Sequence, residues 1–339
     1  MNRSEDDIKI LKKVNTIVKE KFPGFASRYF SHNMDIKTPR TLWGYAIDLT
    51  SFFEYLETVS FHVDKMVISD LDKITPEIIE NYLQSSRTFM DNGKVKTRSD
   101  AAVKRRYSTL SSFFSYYYKL EMIDRNPVDK VVPPYQRRSV TKVPSNSDNK
   151  ELLDFVFHGE LEGNKASFQE RTRKRDVAIL MLIMGAGIKA SECVNIDLTD
   201  LHLESGYITV KNRKSKRNVY VSDYIAQAIS RYLIERLSLV TEYGHEDALF
   251  ISLKYKRICL RSIEIMLKKY SEAVFGTDNN VTPEALKRAF RNNLFDKTMN
   301  FNYVADICGN DTDTIFLDYK AAIKEYECRK GTKFSTDIF

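Results

Sequence analysis

A basic run in the second half of the chain is flanked by two short segments of alternating residues. These segments, YITVK and NVYVSD, alternate apolar and polar positions, which predicts two β-strands joined as a hairpin. The charged residues of the hairpin are Lys211, Arg213, Lys214, Lys216 and Arg217. Lysine and arginine side chains bind phosphate oxygens, so the hairpin could contact a nucleic-acid backbone. A solvated basic loop is the alternative interpretation.

The aromatic run SFFSYYYK, residues 112–119, is a second candidate site because aromatic rings can stack on nucleic-acid bases. Its rings continue an apolar series with spacings of mostly three and four, which is typical of the buried face of a helix. The series consists of Ala102, Tyr107, Leu110, Phe113, Phe114 and Tyr117. We therefore favour core packing for this run.

The four cysteines offer no metal site. Cys193, Cys259, Cys308 and Cys328 are scattered, without a CxxC pair and without a histidine at metal-ligand spacing. The sequence therefore predicts free thiols and no bound metal.

The composition is that of a globular protein, with 42% hydrophobic and 29% charged residues and a net charge of +7. A length of 339 residues favours two domains. No apolar run approaches the roughly 20 residues that a membrane span needs, and the charged N-terminal segment has no apolar stretch behind it. We predict a cytoplasmic protein with no membrane partner.

The first half of the chain is predicted to be helical throughout. Apolar residues recur at helical spacing over residues 41–59. A second helix is predicted over residues 76–83, with Thr75 as its N-cap, and a third begins near Arg98, with Ser99 as its cap. These helices predict an N-terminal domain over residues 1–135.

Prolines then interrupt the chain. Pro127, Pro133, Pro134 and Pro144 forbid a continuous helix, and residues 136–148 are predicted to be a linker. The second domain, residues 149–339, begins with a helix at KELLDFVFHG and a buried apolar helix at DVAILMLIMGAGI. The hairpin and further helices from Asp223 follow. The predicted fold class is mainly α (α+β).

Four segments in this order resemble those of the tyrosine recombinases, the Xer and phage-integrase group. They are GAGIKASECVNIDLTDL, the hairpin TVKNRKSKRNVYV, VTPEALKRAF, and ICGNDTDTIFLDY, in which a tyrosine follows nine residues after Asn310. The resemblance extends over about residues 40 to 330. It implies a helical, SAM-like core-binding domain, then a mostly helical catalytic domain with a small β-sheet.

The resemblance also implies a chemistry. Family members cut DNA when a tyrosine hydroxyl attacks a backbone phosphate, which gives a 3′-phosphotyrosyl intermediate and a free 5′-hydroxyl. Such a site needs donors aimed at the phosphate and an acid for the leaving oxygen. Position by position, Tyr319 is the nucleophile. Lysines stand where the family has its two arginines, at Lys189 and Lys287.

The other family positions are also substituted. Glu284 and Asn310 stand where the family has histidines, and Arg288 takes the place of the usual second histidine. In the hairpin the strict register puts Asn212 at the lysine position, with Lys211 and Lys214 on either side of it.

These substitutions alter the expected chemistry. A lysine keeps the charge but lacks the planar fork that grips two phosphate oxygens, so much of the rate could be lost. Glu284 would repel a phosphate unless Lys287 or Arg288 neutralises it. Glu192 is expected to cap a helix or to form a salt bridge near Lys189, as a structural residue.

The implied function is site-specific recombination or integration of DNA by a mobile-element enzyme, without metal or nucleotide cofactor. The resemblance implies that the two domains close as a C-shaped clamp on double-stranded DNA and that the protein is a homo-tetramer there. The expected phosphate contacts are Lys104, Arg105, Arg171, Arg173, Lys174, Arg213, Lys214 and Lys216.

Two alternatives stay open. With so many substituted positions, the protein could be a catalytically inactive homologue with an architectural or regulatory role on DNA. It could also be a regulatory partner that borrows an intact active site from a related recombinase in a mixed complex.

Overall fold

The computed structural model describes residues 5–135, 143–211, 216–309 and residue 312. The chain divides into two compact units, Met1–Ser139 and Val140–Phe339. The domain limits predicted above, at residues 135 and 149, remain predictions.

Five helices make up most of the first unit. Side-chain caps fix the starts of two of these helices where the sequence predicted them, because Thr75 accepts from the Ile78 amide and Ser99 from the Ala102 amide, both at 3.3 Å. The helices are α1 (Glu5–Lys21), α2 (Ala26–Asn33), α3 (Pro39–Thr58), α4 (Pro76–Ser85) and α5 (Asp100–Lys119).

The aromatic run of α5 lies in the core of this unit. Phe113, Phe114 and Tyr117 are fully buried, and the Phe113 ring meets that of Tyr29 edge-on at 5.2 Å between centroids. Core packing is thus confirmed over base stacking for these three rings, whereas Tyr118 is exposed.

The prediction of helices throughout the first unit is wrong at one place. Strands β1 (Thr88–Asp91) and β2 (Lys94–Thr97) form an antiparallel hairpin between α4 and α5. Asn92 and Gly93 connect them with φ values of 49° and 74°. Two consecutive positive φ values are what the favoured two-residue hairpin turn requires, and Asn-Gly is its usual sequence.

The second unit is mainly helical with one three-stranded sheet, which confirms the predicted fold class. Its elements are α6 (Asn146–His158), α7 (Asn164–Ala186), α8 (Ala190–Cys193), β3 (Leu201–His202), β4 (Tyr207–Lys211), β5 (Lys216–Tyr220), α9 (Asp223–Ser238), α10 (Leu260–Phe275), α11 (Pro283–Thr298) and α12 (Phe301–Cys308). None of the described helices is long and apolar enough to cross a bilayer.

Helix α7 forms the centre of the second unit. Its apolar half is buried, as the sequence predicts, with Ile179, Leu180 and Ile183 inaccessible to solvent. The helix begins at Asn164, so the basic residues before this apolar half belong to the same helix.

The sheet has the antiparallel order β3-β4-β5. Val210 pairs with Arg217 and Ile208 with Val219. Directly paired residues share one face of a sheet, so Arg217 lies on the face that carries the buried Ile208, Val210 and Val219. Residues 212–215, which connect the strands, lie outside the described residues.

Candidate active site

A tight turn after α7 positions Lys189. Gly187 adopts φ +64°, and a Cβ there would lie 2.5 Å from the ring of Phe290, so only glycine fits. The chain then places Lys189 at the N-cap of α8. The Lys189 ammonium donates a hydrogen bond to the carbonyl oxygen of Gly309 at 3.1 Å.

Helix α11 positions Lys287. Pro283 starts this helix, and the Thr282 hydroxyl caps it by accepting from the Ala285 amide at 3.2 Å. The Lys287 side chain is buried, with an exposed fraction of 1%. Its ammonium donates to the carbonyl oxygen of Cys308 at 2.6 Å. Burial lowers the pKa of Lys287 to about 8, against an ordinary 10.5.

The two lysines therefore meet at the end of α12. Their acceptors, the carbonyls of Cys308 and Gly309, are consecutive in the chain and belong to the last turn and C-cap of that helix. Carbonyls at a helix C-terminus lack partners within the helix and carry partial negative charge, so they attract cations. Two side chains that are 98 residues apart in sequence thus share one small region.

Arg217 joins this region from β5. Its guanidinium donates to both carboxylate oxygens of Glu192, at 2.7 and 3.1 Å. It also touches Gly309, because a Cβ on that glycine would lie 2.7 Å from the Arg217 Cζ. In the sequence, Arg217 is one of the hairpin charges, and motif order predicts no role for it in the site. Its alternation with the buried Val219 and Val221 was the signal that it faces inward.

Glu192 caps α8 as expected, but its ion pair is with Arg217. The carboxylate accepts from the Lys189 amide at 2.9 Å and from the Arg217 guanidinium. Burial alone would raise the pKa of Glu192, but the hydrogen bonds from Arg217 and Lys189 outweigh it and hold that pKa below its ordinary value. Glu192 is therefore a carboxylate that ties the start of α8 to β5.

The remaining α11 residues have separate partners. Glu284 is exposed and lies 3.6 Å from the guanidinium of Arg291, which is buried. The neutralising cation is thus Arg291 and not the expected Lys287 or Arg288. Arg288 is half-buried, and its Nε has no hydrogen-bond partner among the described residues.

Lys211 lies away from this region. Its ammonium forms ion pairs with Asp200 at 2.7 Å and Asp197 at 3.2 Å. The hydrogen bond to Asp200, with that to Asp197, raises the pKa of Lys211. Because side chains alternate along a strand, Lys211 is on the opposite face of the sheet from Val210 and Arg217. Lys214, Asn310 and Tyr319 lie outside the described residues.

Comparison with known proteins identifies the family. The sequence profile of the phage integrase family matches residues 162–324. Residues 162–324 are thus a phage integrase domain, and the chain is similar to tyrosine recombinases along most of its length.

Named relatives match along most of their length. The chain is 26% identical over 320 residues to tyrosine recombinase XerS of Streptococcus agalactiae. This alignment covers 85% of this chain and 88% of that protein. It is 28% identical over 296 residues to tyrosine recombinase XerC of Thermodesulfovibrio yellowstonii, with 85% and 89% covered.

Solved structures of recombinases share the fold. XerH bound to a palindromic difH substrate after cleavage superposes with a TM-score of 0.65 at 18% identity, covering 86% of this chain and 80% of that one. The Tn1549 transposon integrase in complex with transposon right end DNA gives 0.64 at 13% identity, with 90% and 98% covered.

The expected DNA contacts of the first unit differ in their surroundings. Lys104 and Arg105 are both exposed on α5. Arg105, however, donates to the buried Asp48 at 2.7 Å and to the Gly44 carbonyl at 3.2 Å. Arg105 therefore has a structural partner inside its own unit.

Three of the six expected contacts of the second unit lie on α7. Arg171 is exposed, Lys174 pairs with Glu235 at 2.7 Å, and Arg173 packs at the end of α6, where it contacts Gly159. Lys216 is exposed at the start of β5, and Arg213 lies outside the described residues. The described ranges contain no group of three His, Cys, Asp or Glu residues arranged to hold a metal.

Proposed function

We propose that this protein is a tyrosine recombinase that carries out site-specific recombination on double-stranded DNA. The observation that carries the proposal is the meeting of Lys189, Lys287 and Arg217 at the end of α12, in the segment that leads to Tyr319. The match to the phage integrase family supports it, and the similar structures include XerH bound to its difH substrate and Tn1549 integrase bound to transposon DNA.

The reaction begins at Tyr319. Its hydroxyl oxygen forms a bond to the phosphorus of the scissile phosphate and loses its proton to water or a base. The bond from phosphorus to the 5′-oxygen breaks, and that oxygen leaves with the electron pair and takes a proton. The tyrosine becomes 3′-phosphotyrosyl, and the reverse step rejoins a strand. No redox change occurs, and no cofactor is required by this balance.

The charge of the region suits a phosphodiester. Three cationic side chains, Lys189, Lys287 and Arg217, meet at the end of α12. The carboxylate of Glu192 accepts from the Arg217 guanidinium and from the backbone amide of Lys189. A phosphate anion would offset the excess positive charge, and the low dielectric of a buried site strengthens that attraction. Lys189 and Lys287 are therefore proposed to bind the phosphate in place of the carbonyls that they contact without it.

The remaining family positions receive roles in the same proposal. Lys214 is the proposed acid for the 5′-oxygen, because Lys211 is held by two carboxylates on the other face of the sheet. Arg288 and Asn310 are proposed to complete the phosphate contacts. Glu284, paired with Arg291, is proposed to orient that guanidinium on α11.

Both units are proposed to contact the DNA backbone through basic residues. The residues are Lys104, Arg105, Arg171, Arg173, Lys174, Arg213, Lys214 and Lys216. Recombination exchanges two strands at each of two sites, so a tetramer is the proposed active assembly, formed by this chain alone or together with a related recombinase.

The test is covalent capture of the intermediate. The protein selects its own duplexes from a pool with a randomised centre, and the selected duplex is then nicked at successive positions near its middle. When the protein cleaves next to such a nick, the short fragment that carries the 5′-hydroxyl diffuses away. The reverse step is then impossible, so the protein stays linked to the DNA on a denaturing gel. We expect an adduct with the wild-type chain and none with Tyr319→Phe.

The other outcomes are equally defined. Tight, salt-sensitive binding without an adduct at any nick position would overturn the enzymatic proposal and support the architectural or regulatory role. An adduct that persists in Tyr319→Phe would place the nucleophile elsewhere.

A further inference from the structure

We propose that Arg217 is a phosphate ligand of the active site and supplies the planar guanidinium that positions 189 and 287 lack. The inference rests on the proposed function. It assigns a role to a residue for which the family resemblance gives none, on the second strand of the hairpin.

Arg217 occupies an inward position where an apolar side chain would be the ordinary choice. It lies on the same face of the sheet as Val219, directly opposite the fully buried Val210 of β4. Its side chain has an exposed fraction of 17%. An arginine held at such a position loses much of its hydration, which has to be offset by strong partners.

The partner that the structure provides leaves part of the guanidinium available. A guanidinium has five N–H donors, and the bonds to Glu192 use one from each terminal nitrogen. The Arg217 Nε has no hydrogen-bond partner within the described part of the chain. A phosphate has enough acceptor oxygens to take the remaining donors.

Arg217 also lies where the two lysines converge. Its guanidinium contacts Gly309, and the carbonyl of that glycine accepts from Lys189. Glu192 connects the same two residues on the other side, because it accepts from the Lys189 amide and from Arg217. Arg217 and Lys189 are therefore held together by two independent contacts.

The substitution pattern gives this placement a chemical reason. Lysine is a point charge that cannot make the two parallel bonds of an arginine to a phosphate. With lysine at both arginine positions, a forked donor has to come from another element if the site is to stabilise the transition state strongly. Arg217 is the guanidinium in contact with the end of α12 from β5.

A purely structural ion pair with Glu192 is the competing explanation, and the variants are chosen to separate the two. Arg217→Lys keeps the charge beside Glu192 and removes only the fork. The double variant Glu192→Gln with Arg217→Met removes both charges of the pair at once, so neither partner is left as an unpaired buried ion. Arg231→Lys, the same change at an exposed arginine of α9, is the matched control.

Cleavage rates are measured by adduct formation on the nicked duplex that the wild-type chain cleaves, at saturating protein. We expect Arg217→Lys to be slower by about 100-fold, the usual effect of losing one transition-state donor. DNA affinity and melting temperature should stay near wild-type values. The double variant should lose cleavage while it remains folded, and Arg231→Lys should match wild type.

A second substrate tests phosphate contact directly, because a purely structural role of Arg217 would not change the rate ratio of wild type to Arg217→Lys between the two substrates. A duplex with a methylphosphonate at the scissile position lacks one charged oxygen and so needs less cationic stabilisation. The rate ratio of wild type to Arg217→Lys should be much smaller on this duplex than on the ordinary one.

The failures are distinguishable. A wild-type chain that forms no adduct overturns the proposed function itself. A wild-type chain that cleaves, together with a folded double variant that cleaves at the same rate, overturns the role of Arg217 alone. An equal rate ratio on the two duplexes also counts against phosphate contact and in favour of a structural pair.

Discussion

Lys287 shows most directly how burial changes the chemistry of one residue. The side chain is enclosed, and its ammonium donates to the Cys308 carbonyl oxygen at 2.6 Å. Desolvation disfavours the charged form, and this is the main reason why its pKa falls to about 8. The site thus stores an electrostatic penalty that an incoming phosphate would relieve.

That penalty predicts a pH dependence of stability. The unfolded chain keeps the Lys287 proton up to about pH 10.5, while the folded chain loses it near pH 8. Between these values the unfolded state binds more protons, so the contribution of Lys287 to the free energy of unfolding rises with pH. The full change is on the order of 3 kcal/mol, and below pH 8 the penalty is fully present.

Denaturant unfolding of wild type and Lys287→Met at a series of pH values checks this. The difference in unfolding free energy, wild type minus variant, should increase from pH 8 towards pH 10. Lys268→Met, a change at an exposed lysine of α10, should show no such trend. Parallel curves for wild type and Lys287→Met would contradict the shifted pKa.

At the scale of elements, the turn that ends α7 positions Lys189. Gly187 combines a positive φ with close packing against Phe290, so an added methyl group meets both backbone strain and a clash. Gly206 has a similar φ of +71°, but its Cβ would meet no atom within 4 Å. Alanine substitutions at Gly187 and at Gly206 therefore separate the effect of backbone strain from the effect of the clash with Phe290.

We expect Gly187→Ala to lower the free energy of unfolding by about 1 to 3 kcal/mol more than Gly206→Ala does. Urea unfolding of both variants measures this difference. Gly187→Ala should also reduce adduct formation, because the shifted turn displaces Lys189. Equal destabilisation by the two variants would show that Phe290 moves aside without penalty.

The elements also show what the sequence could predict. Periodicity and caps were enough for α3, α4 and α5 and for the β4–β5 hairpin, because these depend on local patterns. The β1–β2 hairpin was missed although Asn92 and Gly93 signalled it, because β2 is exposed, β1 is only partly buried, and neither strand carries a run of alternating apolar residues. The turn residues were therefore its clearest signal in the sequence.

The site could be predicted only in part. Motif order led to Lys189 and Lys287, but not to their acceptors, since the contacts with Gly309 and Cys308 depend on how α8, α11 and α12 pack. The partners of Lys211 and Glu284 were likewise set by tertiary structure. Sequence spacing identifies candidates, and packing decides which of them meet.

At the scale of the whole molecule, adjacent basic residues can serve different purposes. Lys104 and Arg105 are neighbours on α5 and both are exposed, so composition treats them alike. Arg105, however, pairs with Asp48, whose side chain has an exposed fraction of 1%. Removing Arg105 would leave that buried carboxylate with fewer partners, whereas removing Lys104 affects the surface charge.

The two substitutions should therefore separate DNA binding from folding. Lys104→Ala is expected to reduce the slope of log K against log salt for duplex DNA by about 0.9, the value for one released phosphate contact, with unchanged stability. Arg105→Ala is expected to lower the free energy of unfolding by about 1 to 3 kcal/mol, because a buried acceptor loses a charged donor.

Fluorescence anisotropy of a labelled duplex over a salt series, together with thermal unfolding, measures both quantities on each variant. If Lys104→Ala leaves the slope unchanged, α5 does not approach the phosphates through that residue. If Arg105→Ala alters the slope without loss of stability, its bond to Asp48 contributes nothing to the fold, and the exposed guanidinium acts on DNA alone. Because the variants differ by one position on one helix, long-range effects of net charge on binding are the same for both and cancel in the comparison.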